Sequence, residues 1–391
     1  MHHPLCVQRM SLATRWLPLP ALLALVLCCC HRPLSGAEGP GARSFQRGIP
    51  LESVAGKSAS VSAGDVNGDG HSDLLLIKGR HWPEDNLILL GNGDGSFQAP
   101  ALLGGPANRS YSGVLVDLDA DGDLDVVLSN DSPDPKLVYH NDGVGQFTAG
   151  ASFGLPEWST RYVSVADLNA DNFPDIITAN RHGRQAGPLY ICWGAPGATF
   201  SAQTTVFAHG SATTITPVDI NGDGAVDLVV PYRDGGQSVV ILNDGSGGFE
   251  QRLPFGPADA HIRSALPCDL NADGLIDLAA IDVNNGPQLY WGSADGGFSA
   301  ATPLGSSTAT PYALYVSDID QDGRTDIIVG FHKAQPVVFF NDGPTGFSAT
   351  PFGDADGKAY GFAVADFNED GLQDIAMARS GAPNVLYLGS P

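Results

Sequence analysis

One nine-residue acidic pattern occurs seven times along this chain, and no other feature constrains its fold as tightly. The copies are DVNGDGHSD (Asp65 to Asp73), DLDADGDLD (Asp117 to Asp125), DLNADNFPD (Asp167 to Asp175), DINGDGAVD (Asp219 to Asp227), DLNADGLID (Asp269 to Asp277), DIDQDGRTD (Asp318 to Asp326) and DFNEDGLQD (Asp366 to Asp374). Successive starts lie 52, 50, 52, 50, 49 and 48 residues apart. A fixed period of this length marks a repeat architecture in which each unit completes its core against its neighbours.

Every unit has the same surroundings. A short run of small residues, such as YSGVLV or YALYVS, precedes the acidic pattern, and an apolar run such as LLLI or IIV follows it. A polar loop, a third apolar run (KLVYHN, LYICWG, PVVFFND) and a glycine-rich turn ending in Phe complete the unit. Asn-Asp-Gly at Asn141, Asn243 and Asn341 has the composition of a tight hairpin turn with positive φ. Four short β-rich runs per unit, without helical periodicity, predict a four-stranded antiparallel sheet. Seven such sheets about an axis make an all-β, seven-bladed β-propeller.

The chain ends bear on closure. Hairpin phenylalanines fall at Phe97, Phe147, Phe200, Phe249, Phe298 and Phe347, and Phe45 stands 52 residues before the first of them. The chain stops before the seventh unit's fourth strand, while SFQRGIP near residue 45 matches GFEQRLP after the fourth acidic pattern. The N-terminal strand is therefore expected to complete the last blade and leave no open edge.

Ahead of this domain, expected to span 38–391, Arg9 and Arg15 precede the apolar run LPLPALLALVLCCC, with small residues at Ser35 and Ala37. Residues 1–37 read as a secretory signal. Cys28 to Cys30 offer lipid attachment as an alternative, although Leu27 stands where such sites prefer a small residue. The apolar run is too short and too Pro-interrupted for a membrane span, and no other is longer, so an integral membrane protein is not expected. The product would be secreted, extracellular or periplasmic, or lipid-anchored at an outer surface. Cys192 and Cys268 sit in apolar runs of units that are not neighbours, and read as small buried residues. The formal charge of −23 excludes nucleic acid as a partner.

The acidic patterns demand a counter-charge. Gly at position six, or Asn172 in the third copy, lets the chain turn back so that alternate side chains converge. Their oxygens, with the main-chain carbonyl at position seven, suit Ca²⁺ better than Mg²⁺. The ligands on this reading are Asp65, Asn67, Asp69 and Asp73 with the carbonyl of His71; Asp117, Asp119, Asp121 and Asp125 with Asp123; and Asp167, Asn169, Asp171 and Asp175 with Phe173. They continue as Asp219, Asn221, Asp223 and Asp227 with Ala225; Asp269, Asn271, Asp273 and Asp277 with Leu275; Asp318, Asp320, Asp322 and Asp326 with Arg324; and Asp366, Asn368, Asp370 and Asp374 with Leu372. Seven divalent ions would bring about +14 against the formal −23. One such loop alone would pass as a solvated acidic hairpin; seven at one spacing do not. Asn172 and Pro174 are expected to alter the third turn and make its site the weakest.

With the D-x-[DN]-x-D-G-x-x-D loop and the Asn-Asp-Gly…Phe hairpin in place, the chain resembles the FG-GAP/VCBS repeat over roughly residues 44 to 391. That resemblance implies the seven-bladed propeller of integrin α-chains and many exported bacterial proteins, with metal at the loop residues named above. It also implies binding or adhesion through loops and, occasionally, sugar recognition. The Gly-Ala-Pro signature survives only at 194 to 196 and 381 to 383.

A partner site is expected on the rim opposite the acidic loops. Of twenty Lys and Arg, three precede residue 38, and twelve of the remaining seventeen fall in opposite-rim loops or the strand starts beside them. They include Arg80, Arg109, Arg161, Arg181, Arg184, Arg233, Arg263 and Lys358, accompanied by His81, His182, His261 and His332. Six residues ahead of the first Asp of each loop stand Tyr111, Arg161, Arg263, Tyr312 and Tyr360, with Ala59 and Thr213 in the other units. A channel mouth lined by these side chains and Arg109 would take an extracellular protein or a glycan, acidic ligands included. The alternative is a polysaccharide lyase or hydrolase on the same scaffold, using Arg161, Arg263, Tyr312 and His261. No nucleophile elbow, HExxH or phosphate loop is present to support an enzyme. A third possibility is a pure assembly module. Asn108 and Asn130 stand in Asn-x-Ser sequons.

Overall fold

The computed structural model describes residues 41, 43–181, 186–305 and 309–391. The leader expected over 1–37, and His182 and Arg184 in a predicted opposite-rim loop, lie outside these residues. The chain forms seven four-stranded antiparallel sheets. Blade 1 comprises Ser58–Gly64, Asp73–Lys78, Leu87–Leu89 and Ala101–Leu102, hydrogen-bonded in that order. Blades 2 to 7 repeat it from inner strands Ser110–Val116, Thr160–Ala166, Thr216–Val218, Ile262–Cys268, Pro311–Ser317 and Lys358–Ala365. Each inner strand lies against the next, and Lys358–Ala365 lies against Ser58–Gly64, so the ring is continuous.

The seventh sheet has the order Ile49–Pro50, Val385–Tyr387, Asp374–Ser380, Lys358–Ala365, so its outermost strand comes from the N-terminal segment. Phe45 belongs instead to a separate pair, Ser44–Phe45 with Gly389–Ser390.

The second strand of every blade is an unbroken apolar run because both of its faces are covered by neighbouring sheets. Leu74 to Ile77, Val126 to Leu128 and Ile327 to Val329 are completely buried. Seven apolar clusters fill the seven gaps between blades. Between blades 1 and 2, Leu75, Ile77 and Ile88 meet Val126, Leu128 and Tyr139; between blades 7 and 1, Ala376, Ala378 and Leu386 meet Leu74, Leu76, Leu89 and Leu51. Each fully buried aliphatic side chain stabilises the ring by roughly 1.5–3 kcal/mol. Near the axis the strands crowd, which explains their small residues. A Cβ on Gly113 would stand 2.7 Å from Ile77 Cδ1.

One local expectation is corrected. Asn-Asp-Gly does not close a two-residue turn. Asn141 still pairs with Phe147, and the loop between them is longer, with Gly143 and Gly145 left-handed at φ 76° and 78°. Neither sequon side chain is accessible. Asn108 and Asn130 are buried, and Asn130 Nδ2 donates to Pro135 O at 2.5 Å, which leaves no room for a glycan. Cys192 and Cys268 are buried thiols outside any disulfide, the first pushed up to about 12 by burial.

Candidate cation loops and an arginine-lined mouth

The acidic loops join the first and second strands of each blade, all on one rim. Their internal bonding is uniform. In blade 1, Gly68 N–H and Gly70 N–H donate to the two oxygens of Asp65 at 2.7 and 2.9 Å, and His71 N–H donates to Asp69 Oδ1 at 2.9 Å. Asn67 Nδ2 donates to Asp69 Oδ2 at 2.9 Å. Asp73 receives Val66 N–H and, from the third strand, Gly91 N–H, both at 2.8 Å. The ninth residue thus anchors the loop to the sheet, while the first and fifth shape its turn.

The third loop follows the same pattern. Asn172 adopts φ 67° and its N–H donates to Asp167 Oδ2 at 2.8 Å, matching Gly70, and Asp175 receives Leu168 and Gly194 N–H. The altered turn expected from Asn172 and Pro174 is absent. Sequence reasoning also overlooked position four. It is left-handed in all seven loops, and in five of them a residue other than glycine, among them Ala120, Ala170 and Ala272, takes that conformation.

Concentrated acid side chains make these loops electrostatically costly. Burial pushes Asp175, Asp227 and Asp374 up to about 6 and Asp326 up to about 7, against their two N–H donors, with neighbouring loop carboxylates adding to the rise. In the second loop Asp117, Asp119 and Asp121 bring carboxylate oxygens within 4.8 Å of one another, as do Asp318, Asp320 and Asp326 in the sixth. Two buried polar atoms there lack a partner: Asp320 Oδ1, and Nδ1 of His140, which lies 3.8 Å from Asp119 Oδ2 and 3.7 Å from Asp125 Oδ2. Hard oxygen donors with such unmet positions fit a divalent cation of the Ca²⁺ type. His140 was not in the expected set because it arrives from the third strand.

The sixth loop differs by carrying cations of its own. Arg43 reaches Asp320 Oδ2 at 2.6 Å and Asp342 Oδ1 at 2.7 Å, and Arg324 pairs with Asp322.

On the opposite rim, six inner strands carry a β-bulge within two residues of their start. Register slips between Ser58 and Ser60, Ser110 and Ser112, Thr160 and Tyr162, Ile262 and Ser264, Pro311 and Ala313, and Ala359 and Gly361. The extra residues are Ala59, Tyr111, Arg161, Arg263, Tyr312 and Tyr360. A bulge re-aims a side chain, here at the channel mouth.

The structure brings five of the six expected partner-site residues together. Arg161 lies over Tyr111 at 4.1 Å and Arg263 over Tyr312 at 4.6 Å. Arg263 of blade 5 also reaches Tyr360 of blade 7 at 5.5 Å, a contact between non-adjacent blades that only the axis permits. Arg109 is the exception, since both oxygens of Asp134 hold its guanidinium at 2.9 and 3.1 Å.

The structure adds members that the six-residue offset missed. Arg80 sits over Tyr360 at 4.1 Å, and Arg233 is close enough to Arg181 and to Tyr312 and Tyr360 to interact electrostatically. Burial pulls Arg263 down to about 10, and the positive charges of Arg233 and Arg80 contribute. The signal for Arg181 and Arg233 was a second offset, six residues after the loop's last Asp, which also places Asp131 and His332. Asp131 pairs with Arg161 at 2.8 Å and Asp234 with Arg181 at 2.8 Å. Hollows of about 380 and 330 Å³ lie elsewhere, the first between the third and fourth acidic loops.

A family model for the FG-GAP-like repeat matches residues 65–128, 117–178, 167–230, 219–279, 269–329 and 318–377. The chain belongs to the FG-GAP-like repeat family. Solved structures similar to this FG-GAP-like repeat protein include a lectin from Burkholderia pseudomallei, 13% identical with a TM-score of 0.65, covering 86% of this chain and 97% of the lectin. BBS1N in complex with ARL6DN matches at 12% identity and a TM-score of 0.61, covering 90% of this chain and 98% of that one. The rhamnogalacturonan lyase YesW matches at 15% identity and 0.52, covering 88% and 76%. At these identities the likeness is one of fold.

Proposed function

We propose that this FG-GAP-like repeat propeller is an exported binding module, with Ca²⁺ in its acidic loops as a structural element and its ligand, an extracellular protein or a glycan, at the arginine and tyrosine mouth. One observation carries the reading: guanidiniums and phenol rings from blades far apart in sequence, Arg80, Arg161, Arg263, Tyr111, Tyr312 and Tyr360, meet at one end of the axis. Propellers of this fold include a lectin and a protein complex, which agrees with a binding role without choosing the ligand. In calcium-containing buffer, Arg161→Ala with Arg263→Ala should abolish retention on a glycan array or in a pull-down. Retained binding by the folded double variant would move the site elsewhere.

The lyase reading has one observation in its favour. The Tyr111 hydroxyl lies 3.0 Å from His81 Nε2, and burial, followed by the charges of Arg161 and Arg80 and opposed by Asp131, lowers the His81 pKa and so favours the neutral ring. A neutral imidazole beside a phenol is an acid–base pair in a cationic mouth. Incubation with a pectin-like polysaccharide should then produce absorbance from an unsaturated product that His81→Gln removes. A flat trace would leave the binding reading alone.

A further inference from the structure

We infer that the mouth is a receptor for an anionic glycan, with an oxyanion of the ligand (sulfate, phosphate or carboxylate) held among Arg80, Arg233 and Arg263 and an adjoining sugar ring packed on Trp82. This inference rests on the mouth being the binding site and adds the chemistry that it takes.

The charge count comes first. Among the described residues, the mouth's recorded ion pairs are Arg161 with Asp131 and Arg181 with Asp234, besides His81 beside Asp131. Arg80 and Arg263 have no carboxylate partner there, and Arg233 shares Asp234, which Arg181 already holds. Arg80 donates to Ser380 Oγ at 3.2 Å, and Arg263 Nε donates to the Tyr312 carbonyl at 2.8 Å. Three guanidiniums drawn to one axis with one shared carboxylate among them repel one another until an anion joins them.

Unmet donors point the same way. The Nε atoms of Arg80, Arg161 and Arg233 are buried without an acceptor. A buried donor left unpaired is costly, and an oxyanion supplies several acceptors at once. Arg80 is moreover held at φ 57°, a conformation that non-glycine residues seldom take and that clusters at ligand sites.

The tyrosines themselves do not offer sugar platforms. A guanidinium covers a face of Tyr111, Tyr312 and Tyr360, at 4.1, 4.6 and 4.1 Å. Tyr312 and Tyr360 also pack edge-to-face with centroids 5.4 Å apart. Their part is to hold the arginines by cation–π contact, which leaves the guanidinium edges not used by Ser380, the Tyr312 carbonyl or Asp131 to meet a ligand. The platform is Trp82, two residues beyond Arg80 and 56% exposed even with Lys57 Nζ 5.8 Å from its ring centroid and His81 edge-on at 5.7 Å. An exposed indole two residues from a cage arginine favours an acidic carbohydrate over a run of Asp and Glu, which has no ring to stack.

The test is calorimetry on the full, calcium-loaded protein with four probes: inorganic sulfate, a sulfated oligosaccharide, its desulfated counterpart and poly-glutamate. The sulfated sugar should bind more tightly than sulfate alone, with the desulfated sugar and poly-glutamate inert. Arg233→Gln and Arg263→Gln should each weaken the sulfated sugar about ten- to a hundredfold, the range for losing a charge-assisted hydrogen bond. Trp82→Ala should weaken the sugar but not sulfate, and the distant, exposed Arg47→Gln should change nothing. A polygalacturonate oligomer tells a carboxylate-bearing ligand from a sulfated one.

Equal binding of sulfated and desulfated sugars, or poly-glutamate bound with the same arginine dependence, would overturn the inference while leaving the mouth as the site. Sulfated-sugar binding that ignores every mouth variant would overturn both. Failure of every anionic probe to bind would overturn the oxyanion assignment outright.

Discussion

At the residue scale the acidic loops store strain at two points, of which glycine relieves one in six of the seven loops. Position six is glycine in six loops, but position four holds Ala272 at φ 59° and Gly222 at φ 75° in the same conformation. An L-residue there costs about 1–2 kcal/mol. Gly222→Ala should therefore lower stability by about 1 kcal/mol through φ alone, since the added Cβ would meet nothing within 4 Å. Ala272→Gly should raise it by up to about 1 kcal/mol, less the extra freedom of glycine in the unfolded chain. Denaturant titration of both variants checks the pair, and equal midpoints would remove the argument. The convergence of both turns on one centre explains why the strain is kept.

At the element scale each loop is tied to its own sheet and, in blades 1, 3 and 5, to the hairpin of the blade after it. Asn141 Nδ2 donates to Val66 O at 2.7 Å, Asn243 to Leu168 O at 2.7 Å and Asn341 to Leu270 O at 2.8 Å. The raised carboxylates set the pH response of the metal-free protein. A group whose folded pKa exceeds its unfolded value, near about 4, stabilises most below that value and loses the contribution as pH climbs through the folded one. With Asp326 at about 7 and Asp175, Asp227 and Asp374 at about 6, the chelated protein should melt at lower temperature as pH rises from about 5 to 7.5. Excess Ca²⁺ should cancel that fall and raise the melting temperature, because a bound cation favours the ionised form. Thermal scans at several pH values with chelator and with calcium test this, and identical curves would remove the structural role of the ion.

At the scale of the whole molecule, charge is sorted along the axis, acidic at one rim and guanidinium-rich at the other mouth. The ring's two ends also meet through a single N-terminal segment. Ile49–Pro50 pairs with the seventh sheet, Phe45 packs on Phe352 at 5.0 Å, and Arg43 crosses to the sixth loop. We expect this segment to lock the ring. Removing residues 38–50 should cost several kcal/mol, because it removes the seventh sheet's outer strand and the half-buried Phe45, worth up to about 1.5–3 kcal/mol. Arg43→Gln should cost under about 1 kcal/mol, since its half-exposed pairs are screened by water. A truncated chain that melts like the intact one would assign closure to the inner strands alone.

The seven acidic patterns and the apolar runs beside them determined the blade, its count and the all-β class, because strand periodicity and turn chemistry are local properties. The offset ahead of each loop located Tyr111, Arg161, Arg263, Tyr312 and Tyr360, because equal positions in equal blades face the axis alike. Tertiary structure alone decided the rest. Arg109 left the mouth because Asp134 on a nearby loop captures it, while Arg80 and Arg233 joined it from the far ends of second strands. His140 and Arg43 reach acidic loops from other strands and another blade, and sequence spacing says nothing about such distances. Closing a ring brings residues hundreds of positions apart within a few ångströms, so the constellation at the mouth exists only once all the blades are in place.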